Sequence, residues 1–142
     1  MKSIHILLIE DNEGDILLTT EALEESKIIN KISVIKDGSA AIAFFEQLKD
    51  DHDKPDLILL DINLPKKSGQ EVLSYIKQHP LHSKTPVIML TTSSAERDIL
   101  LAYKNHANCY ITKPVEVSGF VSAIAKIEDF WINIVSMPNH KQ

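Results

Sequence analysis

Five side chains in this sequence carry chemistry in a pattern: the carboxylates of Glu10, Asp11 and Asp61, the hydroxyl of Thr91 and the ammonium of Lys113. Each stands at or just past the end of an aliphatic run: Ile4 to Ile9, Leu57 to Leu60, Val87 to Leu90 and Ala107 to Ile111. Short continuous apolar runs read as strands buried on both faces, the kind found inside a parallel sheet. A carboxylate stranded within such a strand would be costly. Asp61 avoids that cost only at the carboxyl end, which in open α/β sheets is the edge where ligands bind. The stretch Asp56-Leu57-Ile58-Leu59-Leu60-Asp61-Ile62-Asn63-Leu64-Pro65 therefore organises the chain, with Asp61 as its reactive group.

A parallel sheet places all its carboxyl ends on one side, so these five groups converge. Three carboxylates packed together repel and raise one another's pKa unless a cation joins them. An all-oxygen cluster suits Mg²⁺, or Mn²⁺, which keeps several waters while binding a few carboxylates and a phosphate. A hydroxyl and an ammonium are donors suited to phosphate oxygens. The combination points to transfer of a phosphoryl group onto Asp61, because a carboxylate can act as nucleophile and form an acyl phosphate. The loose transition state of that reaction needs positioning and countercharge above all. Asp11, Asp61 and the backbone carbonyl of Asn63 would hold the ion, Glu10 would reach it through water, and Lys113 would supply the second positive charge. Taken singly, Asp61 is a turn or cap residue, Glu10-Asp11 a helix start, Thr91 a turn residue and Lys113 a surface lysine. Their occurrence at successive strand ends carries the argument.

The elements that must position them follow in order. After the first strand comes the acidic loop Glu10-Asp11-Asn12-Glu13-Gly14-Asp15, then a helix from Ile16 to Glu25 with Ile16, Leu17, Thr20 and Leu23 at helical spacing. Ile32 to Ile35 is a second strand, ended by Asp37-Gly38, and Ala40 to Leu48 a helix with Phe44, Phe45 and Leu48 on its core side. Ser68 and Glu71 have capping-box spacing, so a helix starts there and runs to about Gln78, before Pro80. Ser93 and Glu96 repeat that spacing and open a helix to about Lys104. Thr112-Lys113-Pro114 is a loop, and the last helix spans about 116–135. Strands alternating with helices imply a parallel sheet with helices on both faces.

Composition agrees. At 142 residues, 44% hydrophobic and 25% charged, the chain is expected to be one domain over 1–142 with a substantial core. A net charge of −5 argues against non-specific nucleic-acid binding. The single cysteine, Cys109, forms no internal disulfide and reads as a small core residue. With no signal peptide or membrane-length apolar run, the expected location is cytoplasmic. Of six histidines only His79 and His82 are close, and no carboxylate or cysteine beside them in sequence suggests zinc. Lys66-Lys67 reads as a solvated loop that could steer an acidic partner.

On Glu10-Asp11-Asn12, Asp61, the loop Leu64-Pro65-Lys66-Lys67-Ser68-Gly69, Thr91 and Lys113-Pro114, in that order, the chain resembles the receiver domain of two-component response regulators. The resemblance covers residue 4 to about 135. It implies a flavodoxin-like sheet of order 2-1-3-4-5, phosphoryl transfer from a histidine kinase's phosphohistidine to Asp61, and a cis Lys113-Pro114 bond. It also implies a switch: the Thr91 hydroxyl moves toward the phosphate and the aromatic residue of the fifth strand, here Tyr110, turns inward behind it. The phosphate would then stabilise one of two pre-existing arrangements. More narrowly, the segment from His106 to Pro114 and Glu128-Asp129-Phe130-Trp131 resemble single-domain regulators paired with bacterial phytochromes.

The signal would leave through a surface. On the last helix Val117, Phe120, Val121, Ile124, Trp131, Ile132 and Val135 form one apolar stripe, and Ala123, Ile127, Phe130 and Ile134 a second. Ser118, Ser122, Lys126, Asp129 and Asn133 leave only a narrow polar face. The apolar arc of roughly 220° is about twice what a helix facing one core requires, which suggests a homodimer through Ile127, Phe130, Trp131 and Ile134. The chain is thus expected to be a switch that takes part in its own phosphorylation and dephosphorylation, and not an enzyme with turnover. Two alternatives are weighed. An aspartate-dependent phosphohydrolase would want a second acid where Asn63 stands. A flavin- or nucleotide-binding module of the same fold would find Glu10-Asp11-Asn12-Glu13 repelling its phosphate.

Overall fold

The computed structural model describes residues 4–24, 29–50 and 53–113, together with Gly119, Ser122, Ala125, Lys126 and Asp129. Five strands, β1 (Ile4–Ile9), β2 (Ile29–Ile35), β3 (Leu57–Leu60), β4 (Val87–Thr91) and β5 (Cys109–Thr112), form one sheet of order β2-β1-β3-β4-β5. Every pairing is parallel. Among the described residues four helices alternate with them: α1 (Glu13–Glu24), α2 (Gly38–Gln47), α3 (Gly69–Gln78) and α4 (Glu96–Lys104). This is the flavodoxin-like order that the resemblance to receiver domains implies. Among the described residues no helix is long and apolar enough to cross a membrane.

β3 shows why the sheet forms. All its residues are fully buried, and because side chains alternate along a strand they feed two different cores. Ile58 and Leu60 join Leu7, Ile9, Phe45, Val72, Leu73, Ile76 and Met89 on the side covered by α2 and α3. Leu57 and Leu59 join Ile6, Leu8, Ile88 and Leu90 on the opposite side, where Leu23 of α1 packs. Each such side chain contributes about 1.5–3 kcal/mol of burial, so the central strand is held from both faces.

The helix boundaries differ from the expected ones in instructive places. α1 starts at Glu13, ahead of Ile16, because the Asn12 side chain accepts from the Asp15 amide at 2.9 Å and its carbonyl from the Ile16 amide at 2.9 Å. Leu17, at helical spacing with Ile16, Thr20 and Leu23, is 58% exposed, and the buried residues of that helix are Thr19 and Leu23. α2 likewise opens early, at Gly38, with the Asp37 carboxylate capping the Ala40 amide at 2.7 Å. Phe45 is buried, while Phe44 and Leu48 pack half-buried against the core. The capping box at Ser68 and Glu71 forms as expected. The one at Ser93 and Glu96 does not: the N-cap of α4 is Ala95, without a side-chain bond, and the Ser93 hydroxyl bonds Asp98 Oδ2 at 2.5 Å. The helix starts far enough along that Asp98, in its first turn, competes successfully for the serine.

Cys109 is half-buried against the second core. Gly119, Ser122, Ala125, Lys126 and Asp129 have helical backbone, and of the expected polar face Ser122, Lys126 and Asp129 are exposed. The full last helix, the Lys113-Pro114 bond and the dimer candidates Ile127, Phe130, Trp131 and Ile134 lie outside the described residues.

Candidate phosphoacceptor site

The strand register brings the site together. Ile9 stands opposite both Ile35 and Leu60, so Glu10 and Asp61 emerge side by side at the carboxyl edge. The ladder continues through them: the Glu10 amide donates to Ile35 O at 3.0 Å and the Asp61 amide to Ile9 O at 3.1 Å. Thr91 closes β4 opposite Thr112, and the Lys113 amide donates to Thr91 O at 2.7 Å. Lys113, 103 residues from Glu10 in sequence, is thereby delivered to the same rim.

The Lys113 ammonium donates to Glu10 Oε1, to Asp15 Oδ2 at 2.8 Å and to Asp61 Oδ2 at 3.1 Å. Its side chain is 3% exposed, those of Glu10 and Asp61 2% and 7%. The Asn63 amide donates to Asp61 Oδ1 at 3.1 Å, and the Asn12 amide to Glu10 Oε2 at 3.2 Å. Thr91 is fully buried, and its Oγ1 accepts from the Ser93 amide at 3.4 Å. Asp11 is exposed at the mouth, and carboxylate oxygens of Glu10, Asp11 and Asp61 lie within 4.8 Å of one another.

Electrostatics separate the two buried carboxylates. Burial works against the charge on Asp61, but the Thr91 hydroxyl and the Lys113 ammonium outweigh it and hold its carboxyl below the ordinary value. Burial instead pushes Glu10 up to about 7, with Lys113 pulling down and Asp61 pushing further up. Burial also opposes the charge on Lys113, yet its bonds to Asp15 and Glu10 more than compensate and raise its pKa. Asp61 is thus an ionised, oriented carboxylate at neutral pH. Three clustered carboxylates with only oxygen donors fit a small hard divalent cation. Among the described residues this is the one group of three or more His, Cys, Asp or Glu placed to hold a metal.

The flanking loops fit backbone to backbone. Gly69, whose amide donates to Ile62 O at 2.8 Å, sits where a Cβ would lie 2.0 Å from Asp61 O. Lys66 adopts φ 71°, turning the loop so that Pro65 O meets the Gly38 amide at 3.1 Å. Tyr110 is half-buried, and its hydroxyl donates to Ser93 O at 2.8 Å. Every group expected at this edge, Glu10, Asp11, Asp61, Asn63, Thr91 and Lys113, is there, with Tyr110 behind Thr91's loop. Asp15 was not expected there. Its only sequence signal is an acid one helical turn beyond Asp11 in a loop that already holds several.

A parallel sheet of order 2-1-3-4-5 whose rim gathers acids, a hydroxyl and a lysine around one buried aspartate defines a receiver module. The chain belongs to the response regulator receiver domain family, whose model matches residues 6–125. It is a signalling module of the two-component type, consistent with acceptance of a phosphoryl group from a histidine kinase. It is 43% identical over 135 residues to the response regulator Rcp1 of Synechocystis sp., covering 94% of this chain and 92% of that protein. Its fold is similar to the phosphorylated cyanobacterial phytochrome response regulator RcpA, with a TM-score of 0.88 and 42% identity over 96% of this chain and 99% of that one. It is also similar to the Mn²⁺-bound form of Rcp1, with a TM-score of 0.86 and 42% identity over 95% and 99% of the two chains.

Proposed function

We propose that Asp61 is the phosphoacceptor. One of its carboxylate oxygens attacks the phosphorus of a kinase phosphohistidine, forming an O–P bond while the P–N bond breaks and its electron pair returns to the imidazole. The observation that carries this reading is the triple engagement of Lys113, which sets an ammonium 3.1 Å from Asp61 Oδ2 in a buried pocket. There it can follow the charge that passes to the phosphoryl oxygens. Thr91 offers its hydroxyl to the same oxygens. Asp11, Asp61 and the Asn63 carbonyl would hold a divalent ion, Mg²⁺ or Mn²⁺, with Glu10 reaching it through water. Such an ion supplies positive charge against the transferring group.

The output is a change of surface. Once phosphate draws the Thr91 hydroxyl, the loop carrying Ser93 shifts, and Tyr110, bonded to Ser93 O, moves with it. We read residues 1–142 as one receiver unit, a cytoplasmic switch that takes part in its own dephosphorylation. We infer a homodimer through the last helix at Ile127, Phe130, Trp131 and Ile134. Similarity to Rcp1 and RcpA supports a phytochrome-linked kinase as donor. Incubation with a small acyl phosphate and Mg²⁺, followed by peptide mapping, should place one phosphate on Asp61 and none on Asp61→Asn. Full labelling of that variant would refute the assignment. Phosphotransfer from a panel of histidine kinases then identifies the donor.

A further inference from the structure

An ammonium has three N–H donors, and those of Lys113 face three carboxylates: Glu10, Asp15 and Asp61. Glu10 and Asp61 belong to strand ends. Asp15 does not: it projects from the first turn of α1 and lies 98 residues from Lys113 in sequence. Its bond to Lys113, 2.8 Å, is shorter than the 3.1 Å bond from Lys113 to Asp61. Asp15 is also the more solvated partner, its side chain 27% exposed against 7% for Asp61. The ammonium is therefore shared, with the group that must react holding the longer bond.

We propose that Asp15 is a positioning residue for phosphoryl transfer: its carboxylate draws the Lys113 ammonium toward α1 and keeps it from closing on Asp61. This rests on Asp61 as the phosphoacceptor. A lysine free of Asp15 has one unsatisfied donor in a buried pocket; Glu10 is already held at close range, so the carboxylate on which it has room to close is Asp61, 3.1 Å away. A tighter bond there withdraws electron density from the nucleophilic oxygen and blocks its approach to phosphorus. With Asp15 in place, Lys113 stays close enough to meet the phosphoryl oxygens after the O–P bond forms, yet leaves the Asp61 oxygen open before it. Asp15 stands outside the carboxylate group of Glu10, Asp11 and Asp61 and reaches the site through its bond to Lys113, so the proposed effect passes through Lys113.

That dependence defines the experiment. The rate of labelling by a small acyl phosphate in Mg²⁺ is measured by intact-mass spectrometry for the native chain, Asp15→Asn, Lys113→Ala and the double variant. Asp15→Asn keeps the side-chain shape, and loss of one charge-assisted bond should slow labelling about 5- to 10-fold. In the Lys113→Ala background the same substitution should change the rate less than about 2-fold. An equal slowing in both backgrounds, as a general loss of stability would give, overturns the proposal, and so does an unchanged rate in Asp15→Asn. Where Lys113→Ala takes up no label, the same cycle is read by Mn²⁺ titration. A lysine released onto Asp61 competes with the ion, so Asp15→Asn should weaken Mn²⁺ binding more with Lys113 present than without it. Equal weakening overturns the proposal here as well. Label mapping away from Asp61 in the native chain would remove the phosphoacceptor assignment and this inference together. Label on Asp61 with an indifferent Asp15→Asn removes this inference alone.

Discussion

The hydroxyl of Tyr110, on β5, donates a hydrogen bond to the backbone carbonyl of Ser93, in the loop between β4 and α4, at 2.8 Å. Ser93 in turn bonds Asp98 in the first turn of α4 and lies two residues past Thr91. The ring, the loop and the helix start are therefore tied by consecutive bonds. Tyr110→Phe removes one of them and leaves a partly buried carbonyl without this donor. The expected cost is about 0.5–1.5 kcal/mol in urea denaturation of the unphosphorylated protein. Labelling of Asp61 should persist, while the difference in amide exchange of 92–98 between phosphorylated and free protein should shrink.

Gly69 tolerates no side chain, because a Cβ there would meet Asp61 O at 2.0 Å and the Ile62 Cα at 2.6 Å. Both contacts are backbone and cannot turn aside. Gly69→Ala should destabilise by about 3 kcal/mol and displace the Asp61 peptide. A lowered urea midpoint together with slower labelling is the expected result.

Lys77 holds a second long-range junction without any carboxylate. Its ammonium donates to Ser83 O at 3.3 Å, Thr85 O at 2.8 Å and Asn108 Oδ1 at 3.1 Å, joining α3 to the approach of β4 and β5. Burial lowers its pKa. Lys77→Met keeps the stem but removes the donors, and should cost about 2–3 kcal/mol with labelling chemistry intact, read by thermal unfolding alongside the phosphorylation rate.

His82 supplies a pH dependence. It is 1% exposed, with Nε2 3.3 Å from Phe45 O and Nδ1 buried without a partner. Burial lowers its pKa from 6.5, as it does for His5. The unfolded chain therefore binds more protons than the folded one once pH falls below about 6.5, so stability rises with pH through that window and is lost on acidification. Glu10, raised to about 7, acts in the opposite sense between 4.5 and 7. The difference between the native chain and His82→Gln isolates the histidine. The native chain should lose stability relative to His82→Gln as pH falls from 7.5 to 5, with a slope no steeper than about 1.4 kcal/mol per pH unit. Parallel stability curves would rule it out.

Strand positions and the acid, hydroxyl and amine at their ends were legible in the sequence because they are local facts. A run such as Leu57 to Leu60 reports its own burial, and Asp61 must then lie at its end. The Ser68 and Glu71 cap was legible for the same reason, since its two bonds close within four residues. Where a local pattern met a long-range competitor the tertiary structure decided. Leu17 has helical spacing but faces solvent, because the sheet takes Thr19 and Leu23 instead. Ser93 has capping-box spacing but bonds Asp98. Asp15 looks like its acidic neighbours until the crossovers set Lys113 against it. Periodicity encodes which face is apolar. Which of several like charges meets a lysine 98 residues away depends on strand order, helix rotation and loop length together, and only the folded chain combines them.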